Sequence, residues 1–192
     1  MPNKVEYEIP TWNQIYDILL NLNQKIQATP FHPDVVVAIA RGGLVAGRVL
    51  VDLLETPQLT TLQIEFYTGI TQTKTAPNIK QKLTNSVTNK KVLLVDDIAD
   101  SGKTLKLAHT ILQKQKAAQI QTATLYWKPQ SNIKPDFTEK QTQNWVIFPW
   151  DTKETLQKIL QTHQDKQQSN KEIAKIVKAG LPQQIADKLL NP

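Results

Sequence analysis

The residues that could carry out chemistry are concentrated in one segment, Val92–Thr104. Four apolar residues lead to the adjacent carboxylates Asp96 and Asp97, and a small polar turn, Asp100-Ser101-Gly102-Lys103-Thr104, then enters a predicted helix. The turn's backbone N–H groups, its hydroxyls and the positive end of the helix suit a phosphate dianion. Glycine at position 102 permits close approach of the backbone. The segment therefore predicts a phosphate-binding turn beside two carboxylates.

The paired carboxylates suit recognition of a ribose cis-diol or, directly or through water, of Mg²⁺ bound to the substrate. Because side chains alternate along a strand, we expect Asp96 and Asp97 to differ in role. The alternative is that they only cap the next helix, but capping requires one acid and does not account for the apolar strand. The ending Gly-Lys-Thr resembles a nucleotide-triphosphate P-loop, which would need glycine where Asp97 stands, so we reject a P-loop.

A second segment, Ala40-Arg41-Gly42-Gly43, follows the apolar run Val35–Ala40. Arginine occurs in this chain only at Arg41 and Arg48, in or near this glycine loop. The planar guanidinium group can bind phosphate oxygens through two parallel hydrogen bonds, which lysine cannot do. Taken alone, the loop could equally be a glycine turn with a surface arginine.

The elements that must position these segments follow from apolar spacing. Helices are predicted over Thr11–Gln27, with Thr11 as N-cap, Leu44–Leu54 and Thr104–Lys116, and strands over Val35–Ala40, Thr60–Phe66, Lys91–Ile98 and Gln119–Trp127. Alternating strands and helices indicate an α/β domain with a mostly parallel sheet, whose ligands lie beyond the carboxyl ends of the strands. The loops after Ala40 and Ile98 both leave from that edge.

The other segments are less regular. Residues 67–90 lack periodicity and are too long for a simple connection, so we predict a functional flap there. A short strand around Trp145–Phe148 and a polar helix from Thr152 come next, and then two helical stretches divided by Gly180-Leu181-Pro182. We divide the chain into a domain at 1–151 and a helical extension at 152–192. Packing or assembly is favoured for the extension over a DNA-reading helix-turn-helix, since it has no arginine for reading bases.

Composition narrows the function classes. A chain of 192 residues fits one domain with an appendage. The absence of cysteine excludes disulfides and thiolate chemistry, and the three histidines lack ligand spacing. With no apolar run of membrane length and no signal-peptide pattern at the N-terminus, we expect a cytoplasmic protein. The net charge of +6 suits a nucleic acid, an acidic membrane surface or a phosphorylated small molecule.

The segment Val92–Thr104 resembles the signature with which type I phosphoribosyltransferases bind phosphoribosyl pyrophosphate (PRPP), where apolar residues lead to two acids and a Ser/Thr-Gly-x-Thr turn. Within that family the chain is similar to the xanthine-guanine and hypoxanthine phosphoribosyltransferases from Thr11 through Asp151. The resemblance implies the type I phosphoribosyltransferase fold. It also implies PRPP contacts from Arg41, Gly42, Gly43, Asp96, Asp97, Ala99, Asp100, Ser101, Gly102, Lys103 and Thr104.

The resemblance also implies roles for single residues. The Arg41 loop would bind pyrophosphate and contain a non-proline cis peptide near Ala40-Arg41. Mg²⁺ would lie at Asp97, and Asp100 would act as general acid/base near purine N7, unless it is only the helix N-cap. Family members often carry a basic flap residue, for which Lys74 is the candidate substitute.

The family's base pocket is matched by Trp127-Lys128-Pro129 and by the segment from Trp145 to Asp151. By resemblance, Lys128 would donate to O6 of a 6-oxopurine, Trp145 would stack on the ring and the Val146 backbone would contact the opposite edge. The alternatives are a solvated loop lysine and an ordinary core aromatic. We interpret Trp150 as a packing residue.

The expected function is purine salvage: transfer of ribose-5-phosphate from PRPP to guanine, xanthine or hypoxanthine with Mg²⁺. The expected partners are PRPP and a purine base, with a homo-oligomer (dimer or tetramer) and without membrane or nucleic acid. One alternative is a transcriptional regulator that senses PRPP, which the basic pI of about 9.4 permits. Another is a pyrimidine or adenine enzyme of the same fold.

Overall fold

The computed structural model describes residues 6–56, 58–67, 76–162 and 165–190. They belong to two compact units, a larger one at Tyr16–Thr142 and a smaller one formed by Met1–Ile15 with Gln143–Pro192. The strands are β1 (Tyr7–Glu8), β2 (Val35–Ala40), β3 (Leu59–Tyr67), β4 (Ala76–Gln81), β5 (Lys91–Ala99), β6 (Gln119–Trp127), β7 (Phe137–Gln141) and β8 (Trp145–Val146). The helices are α1 (Trp12–Gln27), α2 (Gly43–Leu53), α3 (Lys103–Lys114), α4 (Thr152–Thr162), α5 (Lys166–Lys178) and α6 (Gln183–Leu190).

The larger unit is built on a six-stranded sheet in the order β4-β3-β2-β5-β6-β7. Neighbouring strands are parallel except β3 and β4, which pair antiparallel. The apolar runs of β2 and β5 are buried because helices cover both faces of the sheet. On one face α3 contributes Leu105, Ala108 and Leu112 to the core. On the other, Gly47 of α2 lies so close to Ala38 that a Cβ there would be 2.7 Å from the Ala38 Cβ.

The predicted α/β fold with a mostly parallel sheet is confirmed, but the sequence patterns missed two strands of this sheet. β7 is a polar edge strand in which only Phe137 is buried, so it shows no apolar run. Asp136 fixes its start, because one carboxylate oxygen accepts hydrogen bonds from both the N–H and the hydroxyl of Thr122 at 2.7 Å.

The second missed strand is β4, which lies within the predicted flap. Its residues pair with β3, with Ile64 opposite Ile79 and Glu65 opposite Asn78. The expectation that residues 67–90 lack regular structure was therefore wrong for Ala76–Gln81. Lys74, the candidate flap residue, lies outside the described residues.

The smaller unit combines the N-terminal segment with the C-terminal helices. β1 and β8 pair in parallel, and α1 begins with a capping box in which Thr11 Oγ1 accepts from the Gln14 N–H while Gln14 Oε1 accepts from the Thr11 N–H. The short strand at Trp145–Val146 thus belongs with the helices after it, whereas the functional boundary at residue 151 stays a prediction. No helix among the described residues is long and apolar enough to cross a membrane.

Glu139 ties α1 to the edge strand β7. Its carboxylate forms an ion pair with the Lys25 ammonium at 2.7 Å and accepts a hydrogen bond from the Asn21 amide at 3.1 Å. Burial acts to raise the pKa of Glu139, but the bonds donated by Lys25 and Asn21 outweigh it and leave that pKa below its ordinary value. The carboxylate is therefore more stable as an anion in the folded chain than in the unfolded one.

Replacing Glu139→Gln should lower the free energy of unfolding by about 0.5–1 kcal/mol at neutral pH. A carboxyl whose pKa is lowered by folding stabilises the fold fully only above its unfolded-state pKa, and that contribution is lost as the pH falls through the folded-state pKa. Urea unfolding at about pH 7 and about pH 3 should thus show a larger difference at the higher pH. Asp52→Asn is the control, because the Arg48–Asp52 pair is exposed at both ends. Equal losses for Glu139→Gln at both pH values would contradict the argument.

Candidate active site at the carboxyl edge of the sheet

The Arg41 loop packs directly on the end of β5. β2 and β5 pair in parallel with Ala38 beside Val95, so the loops after them leave from the same sheet edge. A Cβ at Gly42 would lie 2.1 Å from Asp97 Oδ2, and one at Gly43 would lie 2.5 Å from the Val95 carbonyl oxygen. Only glycine therefore fits at position 43, where the obstacle is backbone, whereas a side chain at position 42 would have to displace the Asp97 carboxylate. The Ala40–Arg41 peptide bond is cis, as the resemblance implied, and the Arg41 side chain is exposed.

The two adjacent carboxylates differ in environment. Asp96 is only 8 % exposed, and its Oδ1 accepts a hydrogen bond from the backbone N–H of Asp97 at 3.0 Å. Burial, and then the neighbouring Asp97 carboxylate, raise the pKa of Asp96 well above its ordinary range. Asp97 is half-buried and faces Gly42 of the Arg41 loop. The carboxylate that can contact a ligand of that loop is therefore Asp97, while Asp96 lies beneath it.

The carboxylates at this edge of the sheet are candidate ligands of Mg²⁺. The described part of the chain contains no group of three or more His, Cys, Asp or Glu side chains that could hold a metal by itself. Mg²⁺ usually keeps its waters and binds through one or two carboxylates together with substrate phosphates. The half-buried Asp97 carboxylate beside the Arg41 loop, with the more deeply buried Asp96 next to it, fits such a substrate-borne cation. The two carboxylates do not form a closed metal cage.

The polar turn after β5 presents the N-terminus of α3. Gly102 is the N-cap residue, with φ +74°, and has no side chain of its own to cap the helix, although the Ser101 hydroxyl accepts from the Lys103 N–H at 3.4 Å. The first N–H groups of a helix have no partner within it, and here Ser101 and Lys103 beside them are exposed. Asp100 therefore does not act as the helix cap, which was the alternative to its catalytic role.

Both oxygens of the Asp100 carboxylate are held by the loop after β6. Lys128 Nζ donates to Oδ2 at 3.0 Å, and Gln130 Nε2 donates to Oδ1 at 3.3 Å. The Lys128 side chain is 8 % exposed, whereas that of Asp100 is 51 % exposed. Lys128 is thus no solvated loop lysine. Sequence reasoning named Asp100 and Lys128 separately but missed their ion pair and missed Gln130.

Backbone contacts fasten this loop to the phosphate turn. The Lys128 N–H donates to the Ala99 carbonyl at 3.0 Å, and the Asn132 N–H donates to the Ser101 carbonyl at 3.1 Å. The Ala99 side chain is buried in the core, so any PRPP contact from that residue is left to its backbone. A Cβ at Gly102 would meet Ser131 Oγ at 2.5 Å. The turn and the loop carrying Lys128 consequently form one packed structure.

In the smaller unit, β8 carries the other predicted base contacts. The backbone N–H of Trp145 donates to the Glu6 carbonyl at 2.8 Å, but the residue is 54 % exposed, so it is not an ordinary core aromatic. Val146 is buried. Trp150 stacks on Phe148 with ring centroids 4.8 Å apart, in agreement with its interpretation as a packing residue. The roles of Trp145 and Val146 toward a base stay predictions.

Comparison with known proteins supplies the family. A model of the phosphoribosyl transferase domain matches residues 8–155. The chain belongs to the phosphoribosyltransferase family. This phosphoribosyltransferase is 31% identical over 157 residues to the xanthine-guanine phosphoribosyltransferase of Gluconobacter oxydans, covering 79% of this chain and 88% of the relative. It is 30% identical over 145 residues to that of Nitratidesulfovibrio vulgaris, with 74% and 83% covered. The crystal structure of a purine phosphoribosyltransferase from Pyrococcus horikoshii matches with TM-score 0.70 and 31% identity, covering 76% of this chain and 93% of that one.

Substituting Gly102→Ala should destabilise this phosphoribosyltransferase by about 1–3 kcal/mol, because the new Cβ adds a clash with Ser131 to the strain of a positive φ. Gly180→Ala is the matched control: its φ is +129°, but nothing lies within 4 Å of the new Cβ. Comparing the thermal unfolding of the two variants separates the backbone strain of a positive φ from the steric clash with Ser131. If the two variants lose the same stability, the packing of the turn on the Lys128 loop is not what requires glycine at 102.

Proposed function

We propose that this chain is a purine phosphoribosyltransferase that transfers ribose-5-phosphate from PRPP to a 6-oxopurine and releases pyrophosphate, as in purine salvage. The observation that carries the proposal is the packing of Gly42 against the Asp97 carboxylate. It brings an arginine loop, a carboxylate pair and a phosphate turn to one sheet edge. The names of the two bacterial relatives support a 6-oxopurine base.

Each part of PRPP has a matching group in this arrangement. The 5-phosphate suits the N–H groups and hydroxyls of the turn Asp100–Thr104, to which the helix end adds positive potential. The ribose hydroxyls suit the Asp97 carboxylate, and a contact from the more buried Asp96 stays a prediction. The pyrophosphate suits Arg41 and the amides of Gly42 and Gly43. A substrate-borne Mg²⁺ next to Asp97 would supply positive charge to the pyrophosphate oxygens.

The transfer forms a bond between purine N9 and ribose C1 while the C1–oxygen bond to pyrophosphate breaks. Positive charge develops on the sugar and negative charge on the departing pyrophosphate. Arg41 stabilises the negative charge, and the nearby carboxylates stabilise the positive charge, without reorganisation during the reaction. Asp100 accepts the proton that the purine loses at N7 as the new bond forms.

The Lys128–Asp100 pair supports the choice of base. Its ammonium and carboxylate lie 3.0 Å apart, a donor beside an acceptor. A 6-oxopurine protonated at N7 offers the complement on one edge, with O6 accepting and N7–H donating. Adenine turns an amino group toward the lysine, so that a donor faces a donor at this position. The pair therefore favours guanine, xanthine or hypoxanthine.

Several finer points belong to the same proposal. The Mg²⁺ requirement, a cytoplasmic location, a homo-oligomeric assembly and the absence of a nucleic acid partner are predictions. The same holds for base contacts from Trp145 and Val146. No observation on the described residues favours the regulator that senses PRPP.

The direct test is pyrophosphate release from PRPP with guanine, xanthine or hypoxanthine in the presence of Mg²⁺. Asp100→Asn should lower kcat by roughly 10²-fold or more, because an amide cannot accept the N7 proton. Arg41→Ala should lower kcat/KM for PRPP by roughly 10²-fold. Arg48→Ala is the matched control, because Arg48 is exposed and pairs only loosely with Asp52 at 3.8 Å. Absence of turnover with every purine, together with salt-sensitive DNA binding, would favour the regulator instead.

Lys128→Met should weaken guanine binding roughly tenfold more than adenine binding, because the lost donor serves O6. Since Lys128 also holds Asp100, turnover would mix the two roles, and equilibrium binding of the base to the protein with pyrophosphate in place of PRPP is the cleaner measurement. Gln130→Met is the control, as it removes a contact to Asp100 without removing the cation. Equal weakening of both bases by Lys128→Met would remove the specificity argument.

A further inference from the structure

The strand that carries the predicted base contacts is too small to hold its own position. β1 and β8 have two residues each, with Tyr7 opposite Trp145 and Glu8 opposite Val146. The N–H groups of Trp145 and Ile147 donate to the carbonyls of residues 6 and 8 at 2.8 and 2.9 Å. An isolated two-stranded ribbon, even of greater length, is marginally stable in water. Something else must hold β8 in place.

The residues behind this ribbon come mainly from the C-terminal helical hairpin, which we define as α5, α6 and the turn between them, residues 166–190. The core of the smaller unit consists of Ile147, Leu156, Ile173, Ile176, Leu181 and Ala186, with Tyr7 and Ile9 packed against it. The last four of those buried residues belong to the hairpin. Ile147, which directly follows β8, is fully buried among them. The hairpin is therefore the chief apolar support of the ribbon.

A polar contact fixes the same elements. The Tyr7 hydroxyl donates to the Glu172 carboxylate of α5 at 2.5 Å, and Lys175 donates to the other Glu172 oxygen at 2.6 Å. Burial and the Glu172 carboxylate both raise the pKa of Tyr7, so the hydroxyl keeps its proton at neutral pH. Tyr7 is the residue paired in register with Trp145. The hydrogen bond thus joins α5 to the strand beside the predicted stacking residue.

The alternation of side chains along β8 gives this support a consequence for binding. Val146 is 8 % exposed and Trp145 is 54 % exposed, so the two side chains lie on opposite faces of the strand, one covered and one open. An exposed indole on a two-residue strand is directed only as well as the strand is held. A misplacement of about 1 Å in a binding group is enough to weaken its contribution severely.

We propose that the C-terminal helical hairpin is a brace that positions β8, and that it thereby sets the affinity of this phosphoribosyltransferase for its nucleobase. The inference rests on the proposed function and on the predicted role of Trp145. It assigns a task to a segment beyond residue 155, where the family match ends. Tyr7, Glu172 and Ile176 are positioning residues in this scheme, because they act through β8.

The test compares two isoleucines of the hairpin. Ile176 is fully buried in the core, whereas Ile185 is 43 % exposed, so Ile176→Ala opens a cavity in the brace and Ile185→Ala is its matched control. Ile176→Ala should raise KM for guanine roughly tenfold and leave KM for PRPP within about twofold of the wild type. Ile185→Ala should change neither constant. Equal rises in both constants, or none, would overturn the brace.

Amide hydrogen exchange gives a readout that needs no turnover. In Ile176→Ala the N–H groups of Trp145 and Ile147 should exchange roughly tenfold faster, whereas those of β5 keep their protection. Tyr7→Phe, which removes only the bond to Glu172, should produce a smaller change in the same two amides and serves where Ile176→Ala fails to fold. Unchanged protection at both amides would overturn the brace. Lack of turnover by the wild-type protein would instead overturn the proposed function. Hydrogen exchange would still test whether the hairpin positions β8.

Discussion

The close packing of the glycine loop on the end of β5 is the constraint on which the site depends. With Ala38 beside Val95 in the parallel register, the chain after β2 passes close to Asp97, Gly42 lies against the Asp97 carboxylate, and the backbone of β5 leaves no room for a side chain at Gly43. The loop that presents Arg41 and the strand that ends in the carboxylates therefore cannot move independently. A substrate with phosphate groups at both ends can be held between fixed charges without prior reorganisation, which is the condition for strong electrostatic stabilisation.

Much of this arrangement could be predicted, because it depends on signals local in sequence. Apolar runs of strand length indicated a parallel sheet, and parallel strands place their following loops at one edge. The glycines and the two acids then identified which loops matter. The Lys128–Asp100 pair and the contact from Gln130 could not be predicted in the same way. They join segments that follow different strands, and nothing in the residue types distinguishes a lysine buried by such a contact from a solvated one.

The strands that were missed show the same limit in the fold. β4 and β7 lie at the two edges of the sheet, where one side of the strand needs no apolar cover, and their residues are mostly polar. What makes them strands is pairing with β3 and the clamp of Asp136 on Thr122, both of which are tertiary contacts. Edge strands with polar sequences also resist pairing with other chains. The polar residues that made these strands hard to predict therefore protect the sheet edges.

The unequal burial of the Lys128–Asp100 pair suggests how a base enters without a large energetic cost. An ammonium as buried as that of Lys128 cannot be left without a partner, whereas the half-exposed Asp100 carboxylate retains part of its hydration and a second donor in Gln130. A ligand that brings its own acceptor for the lysine and its own donor for the carboxylate takes over the contact of each and strands neither charge. A ligand that brings two donors satisfies only the carboxylate. In the proposed function, selectivity between bases would arise from whether the base presents an acceptor or a second donor to the Lys128 ammonium.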